Sequence, residues 1–265
     1  MSEALTKEIS LGARQQVSGA QMPIMKEFML LLRLQYSDYR GNAPFIVLFG
    51  FVIPLGLFWV LQTYVTIGTG SEWLVAGNIV MSVCYGSMNF SMQRIAWMKH
   101  AGEMDYYGTL PIRKSVFVSV IFVLGLLSSL PGVISNLILG VIYMDLGINN
   151  ILIAIPVILV ASLSLSVIGV GIGSIVKSMP QLSLYFYLSY AIVTFLCPVM
   201  VPLEKLPWAL KATSYVLPPG QAVLAVRKAL VGNLDTMFWI MSGAVAFWLL
   251  AAGLLGIRRL DWRRD

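Results

Sequence analysis

The side chains able to do chemistry are few in this sequence, and most of the charged ones near the middle of the chain lie together. The stretch from Met98 to Lys114, MKHAGEMDYYGTLPIRK, holds Glu103, Asp105, Lys99, Arg113, Lys114 and the sole histidine, His100. Apolar runs flank it on both sides, so this loop lies in water and is where a cytosolic partner would take hold. His100, at an apolar boundary, is expected to be solvated rather than catalytic. Cys84 and Cys197 are the only cysteines and sit inside apolar runs, without disulfide or zinc spacing, as small hydrophobes. GVGIGSIVKS, Gly169 to Ser178, ends in Lys-Ser like a phosphate loop. Such a loop needs Gly directly before the Lys and a strand leading in, whereas Val176 precedes Lys177 at the end of an apolar run. Gly169 and Gly173 instead suit a small-xxx-small packing face. The chain is therefore not expected to bind ATP itself, and it has no HExxH or GxSxG motif.

A second polar pattern lies inside an apolar run. Asn78, Ser82, Tyr85, Asn89 and Gln93 step by three and four and form one stripe down a helix. Tyr187, Tyr190 and Thr194 repeat the idea, and Ser128, Ser135 and Asn136 add to it. In lipid such a stripe is costly unless it faces neighbouring helices or a path, and both readings stay open. No Asp, Glu or His falls within these runs, which argues against an ion-coupled pump.

The elements that must carry these residues follow from composition. Of 265 residues 58% are hydrophobic and 11% charged, with a mean hydropathy of +0.82, against roughly 25% charged in soluble domains. This predicts an all-α integral membrane protein. The start, MSEALTKEISLGARQQVSGA, has no apolar run before a small-residue cleavage site, so it is not expected to be a signal peptide. A span needs about 20 apolar residues. Six stretches qualify: Ala43 to Ile67, Trp73 to Gln93, Ser115 to Tyr143, Asn150 to Val176, Gln181 to Val201 and Thr236 to Ile257. Of the 18 Lys and Arg residues, only Lys205, Lys211, Arg227 and Lys228 fall on one side; the rest share the other. That bias predicts both termini cytoplasmic in a multi-pass plasma-membrane protein, and it accounts for the net charge of +6 without nucleic acid.

Before the spans comes a polar tail, 1–21, and then 22–40. There Met25, Phe28, Met29, Leu32, Tyr36 and Tyr39 recur at helical steps, with Lys26, Arg33 and Arg40 on another face. This predicts an amphipathic helix in the cytoplasmic headgroup layer, with Pro23 in its first turn. Pro54, Pro131, Pro156 and Pro198 are expected to bend their spans. Between spans five and six, 202–235 is long for an outer loop. Leu203 to Tyr215 and Gln221 to Leu230 are expected to form two short helices broken at Pro218-Pro219-Gly220, a re-entrant pair or an outer lid. A basic tail, 258–265, ends the chain.

In this arrangement the chain resembles the membrane subunit of a type-2 ATP-binding-cassette (ABC-2) exporter over nearly everything after Met22. AGEMDYYGTLPIRKS is similar to the family's cytosolic RE-x-G-T segment, with Glu103, Gly108, Thr109, Leu110 and Pro111 in step and Gly102 in place of the usual Arg. LPPGQAVLAVRKALVG resembles its outer segment at Pro218, Pro219 and Arg227. The resemblance implies a separate ATPase subunit, carrying ATP and Mg, docking at Glu103, Asp105, Tyr106, Tyr107, Lys26 and Arg33. It implies a homodimer or a heterodimer with another permease, surrounded by membrane lipids, with no cofactor bound by this chain. The path would run along Asn78, Ser82, Tyr85, Asn89, Tyr187, Tyr190 and Thr194, and an outer gate would lie at Pro218, Pro219 and Arg227. The polysaccharide branch of the family has a Trp entering span one that YSDYRGNAPF lacks, which favours a drug, peptide or lipid-like substrate. The alternatives are a polysaccharide or lipid-linked glycan permease, a membrane enzyme outside this family, or a channel.

Overall fold

A computed structural model of the chain describes residues 23–41, 43–62, 71–110, 112–144, 146–197 and 203–259. The two tails, 1–21 and 260–265, Asp145 and Pro198 lie outside them. Among the described residues all regular structure is helical. α1 is Ile24–Gly41. α2 covers 43–62, where Ala43–Val47 runs through a π-helical turn, Leu48–Val52, into Ile53–Gln62. α3 covers 71–100 in the same way: Ser71–Val83, π-helical Cys84–Asn89, and Phe90–His100. The short α4, Glu103–Thr109, leads to α5, Lys114–Met144, and α6, Ile148–Ile175. α7 covers 179–196, Met179–Ala191 ending in a π-helical turn. After a 3-10 turn at Leu203–Lys205 come α8 (Trp208–Val216), α9 (Pro218–Val231) and α10 (Thr236–Arg259).

Prolines shape these rods unequally. Pro54 follows the π-helical turn of α2, in which the Ile53 N–H reaches back to the Leu48 carbonyl. Pro131 and Pro156 sit inside α5 and α6, and both helices run on without a break. Lys114–Tyr143 and Ile148–Ile175 are each long and apolar enough to cross a membrane, and Thr236–Ala251 is a shorter apolar helix.

The trunk is α3 wedged between α5 and α6, and small residues set how close it comes. An added Cβ at Gly169 would overlap the Met88 carbonyl, one at Gly173 the Met92 carbonyl, and one at Gly86 the backbone of Ser129. The Gly169/Gly173 face is thus a close-packing face against α3. Serines join the seam. The Ser87 hydroxyl donates to the Ser162 carbonyl at 2.9 Å and meets the Ser166 hydroxyl. α9 is enclosed by α3, α6 and α10, and from Pro218 to Val226 every residue is buried.

α1 turns to the bundle a strip distinct from the apolar face expected to meet the headgroup layer. Glu27, Leu31 and Gln35, four apart, face the bundle, while Met25, Met29 and Tyr36 are exposed. Phe28, Leu32 and Tyr39 are half-buried beside that strip and pack against the cluster that includes Ile95, Met98 and Phe117, with the Tyr39 ring 5.8 Å from that of Phe90 in α3.

Gly169→Ala is expected to lower the thermal midpoint of the detergent-solubilised protein, at the cost of about 1–3 kcal/mol typical of overpacking. Gly171→Ala, where an added Cβ meets nothing within 4 Å, should leave it unchanged. Equal midpoints for the two variants would mean that α3 and α6 do not approach this closely.

Candidate functional site

The polar residues form three groups along the bundle. The first is the elbow between α3 and α5. Its turn passes through Gly102 at φ +74, a left-handed conformation that favours glycine, which gives a local reason for Gly at that position. Glu103 and Asp105 then occupy the first turn of α4, where the helix dipole favours acids. A Glu103 carboxylate oxygen lies 3.3 Å from the Arg94 guanidinium, which ties the elbow to the lower part of α3. The Thr109 hydroxyl donates to the Tyr106 carbonyl at 2.7 Å and closes the short helix.

This geometry divides the four elbow residues singled out from sequence. Asp105 and Tyr106 point outward, Tyr106 being 64% exposed. Glu103 is partly exposed. Tyr107 turns inward: it is buried, and its ring lies 5.2 Å from that of Phe117. It anchors the elbow rather than offering itself to a partner, because α4 is amphipathic and Met104 and Tyr107, three apart, share its inner face. On α1, Lys26 and Arg33 are exposed. Between them lies a residue that the sequence reading passed over. Glu27 is 5% exposed, and its Oε1 accepts the Arg113 N–H at 2.5 Å, at the start of α5. The signal was its spacing, four and eight residues before Leu31 and Gln35 on the buried strip.

The second group is the stripe on α3. Asn78, Ser82, Tyr85 and Asn89 are all buried, whereas Gln93 is exposed. The Asn136 amide donates to the Ser82 hydroxyl at 3.3 Å, so that part of the stripe is bonded between helices. The Tyr85 ring stacks on Tyr190 of α7 at 5.1 Å, with Thr194 beside its hydroxyl. Among the described residues, both side-chain polar atoms of Asn78 and of Asn89 have no hydrogen-bond partner. Tyr187 does not join them; it is 68% exposed and its ring meets the side of Phe186. Three residues on from it along α7, Tyr190 turns to the bundle while Tyr187 stays on the outer face.

The third group is at the opposite end of α3. Arg227 on α9 pairs with Glu72 at 3.1 Å and lies 4.2 Å above the Trp73 ring, so it clamps α9 to the start of α3. The break between the two short helices falls at Leu217, which is extended, and not at Pro218-Pro219-Gly220. The two prolines instead open α9, where their missing N–H groups cost nothing, and Gly220 lies against the backbone of Ser214 in α8. Pro218 and Pro219 are buried, so they belong to the packed core of this end. At the far end of α9, Lys228 binds Asp235, which also caps α10 by accepting the Phe238 N–H at 3.0 Å. The hydrogen bond from Lys228, and then that from Phe238, hold the Asp235 carboxyl below its ordinary range.

The phosphate-loop-like ending at Lys177-Ser178 is a helix cap. The Ser178 hydroxyl faces the Gln181 N–H, and the Gln181 side chain accepts the Lys177 N–H at 3.0 Å. Comparison with known families decides the larger question. The family described as "ABC-2 type transporter" matches residues 26–231, well over half of the chain.

The chain belongs to the ABC-2 type transporter family. No curated protein matches it. It is the permease component of such a transporter, an integral membrane protein, and its domain is one that lacks a nucleotide-binding site. ABC-2 permeases work with an ATPase subunit. The matched residues span the elbow, the stripe on α3 and the Arg227 clamp.

Two outcomes follow from these groups. A buried amide without a partner costs about 1–3 kcal/mol, so Asn78→Leu in this ABC-2 permease is expected to raise the thermal midpoint or leave it unchanged. A marked fall would mean that Asn78 holds helices together. Asp235, with its lowered carboxyl, stabilises the fold above about pH 4 and ceases to do so as pH falls through its folded value. Thermal melts between pH 6 and 3 should therefore fall less steeply for Asp235→Asn than for the native chain.

Proposed function

We propose that this permease moves a hydrophobic or amphipathic substrate, such as a drug, peptide or lipid-like molecule, outward by alternating access. A separate ATPase subunit docks at the elbow and drives it. The observation that carries this reading is the elbow itself: a short helix whose inner face is buried and whose outer face presents Asp105 and Tyr106. α5 has 31 residues and so is about 46 Å long, against roughly 30 Å of hydrocarbon. On this reading part of the surplus lets its first turns and the elbow stand clear of the lipid on the cytosolic side.

On this reading α2, α3, α5, α6, α7 and α10 are six spans and both termini are cytoplasmic. α8 and α9 form a re-entrant pair on the outer side, with Arg227 as the clamp of an outer gate. Their irregular backbone is acceptable there because protein covers it. Glu103, Asp105 and Tyr106 receive the ATPase, with Lys26 and Arg33 beside them on α1. Two copies of the permease, or this chain and a second permease, enclose the path. Asn78, Tyr85, Asn89, Tyr190 and Thr194 line it: the unpartnered amides of Asn78 and Asn89 suit a cargo that brings its own hydrogen-bonding groups. The absence of charge among them suits a cargo without strong charge. Tyr187, exposed in the single chain, faces the second copy. ATP supplies the bias between inward-open and outward-open states by binding one better than the other.

Asp105→Lys and Tyr106→Ala are each expected to reduce the ATPase recovered with the permease about tenfold, the effect of roughly 1.4 kcal/mol at an interface. Membrane insertion should be unchanged, and Tyr107→Phe should keep full recovery. Normal ATPase recovery and activity with Asp105→Lys would remove the elbow from docking.

A further inference from the structure

Glu27 has a task that neither the lipid-facing nor the docking side of α1 explains. It is an acid on a helix whose other buried strip residues are Leu31 and Gln35, and it is 5% exposed. Its Oε1 accepts the Arg113 N–H at 2.5 Å. That N–H is one of the donors at the first turn of α5 that have no acceptor within the helix. Arg113 is also where the elbow ends and α5 begins, since Leu110 and Ile112 lead directly into it. Around the contact, Leu31, Met98, Met104, Tyr107, Val116 and Phe117 form one buried cluster, so α1, the elbow and the start of α5 share a core.

We propose that Glu27 is a positioning residue that latches α1 to the N-terminus of α5, so that movement of the elbow carries α1 with it as one body. This rests on the reading of the elbow as the ATPase docking site. The carboxylate reaches the N–H through two methylenes, and the helix dipole favours a negative or strongly accepting oxygen at that point. α1 leads directly toward α2, with only position 42 between Gly41 and Ala43. A push at α4 is therefore passed through the latch to α2 as well as directly to α5. The coupling is mechanical and needs no titration of Glu27.

The test uses the complex purified with its ATPase, with spin labels on cysteines introduced at Met29 and Ser115, both exposed positions. Cys84 and Cys197 are buried and stay unlabelled. In the native latch and in Glu27→Gln, which keeps reach and an accepting oxygen, the label-to-label distance should be single and narrow with and without ATP. Glu27→Asp keeps the charge but is one methylene short, and Glu27→Ala lacks the acceptor. Both should broaden the distance, with and without ATP, while the ATPase remains bound. A narrow distance in Glu27→Ala would overturn the proposal. So would rescue by Asp and not by Gln, since charge rather than reach would then be at work. If Glu27→Ala fails to assemble, the comparison of Gln with Asp decides alone. Failure of the docking reading would show separately, as unaltered ATPase binding in Asp105→Lys.

Discussion

Lipid is about as apolar as leucine, so helices in a bilayer gain little from burying leucine against one another and must be held by close contact and hydrogen bonds. The trunk of this permease meets that constraint at one place. The π-helical turn of α3 brings Gly86 against the backbone of Ser129, Ser87 against Ser162 and Ser166, and the Met88 carbonyl against Gly169. Tyr85, in the same turn, meets Tyr190. A single widened turn thus touches three neighbouring helices, and the packing of α5, α6 and α7 is referred to it. The unpartnered amide of Asn78 lies before that turn and that of Asn89 at its last residue, where a costly polar stripe is held in place by the close contacts and serine hydrogen bonds of the seam.

The elbow end of the bundle is built by different physics. Water reaches it, so burying Leu31, Met98, Met104, Tyr107 and Phe117 together gains the ordinary hydrophobic free energy, about 1.5–3 kcal/mol per fully buried side chain. Glu103 with Arg94 adds a partly exposed pair of modest worth. The elbow is therefore a firm small unit on the end of α3 and α5, able to pass a displacement inward without unfolding. At the opposite end the Arg227 clamp on Glu72 and Trp73 holds α9 down against the trunk.

Much of this was legible in the sequence because helical periodicity and the rarity of charge speak for themselves. The apolar run Ser115 to Tyr143 appears as α5, Lys114–Met144, and Asn150 to Val176 as α6, Ile148–Ile175. The small-residue reading of Gly169 and Gly173 predicted their close packing. What periodicity missed depends on neighbours it cannot see. It gave α1 an apolar face for the headgroup layer and a basic face, and did not mark the third strip, Glu27, Leu31 and Gln35, that the bundle takes because α5 offers a helix N-terminus that needs an acceptor. It grouped Tyr107 with Tyr106, though adjacent helical residues point apart, and Tyr187 with Tyr190, where only the second finds a ring to stack on. Two adjacent prolines suggested a break, yet proline suits the first turn of a helix, and the break fell one residue earlier at Leu217.

The central claim is that an ATPase subunit takes hold of the outer face of the elbow, and photocrosslinking in intact membranes addresses it most directly. A photoreactive amino acid replaces Tyr106, 64% exposed, or Trp208, 83% exposed on the proposed outer side. The account predicts an adduct from position 106 whose added peptides are those of an ATP-binding-cassette ATPase, and none of that kind from position 208. An ATPase adduct from 208, or its absence from 106 while the assembled transporter is active, would contradict it.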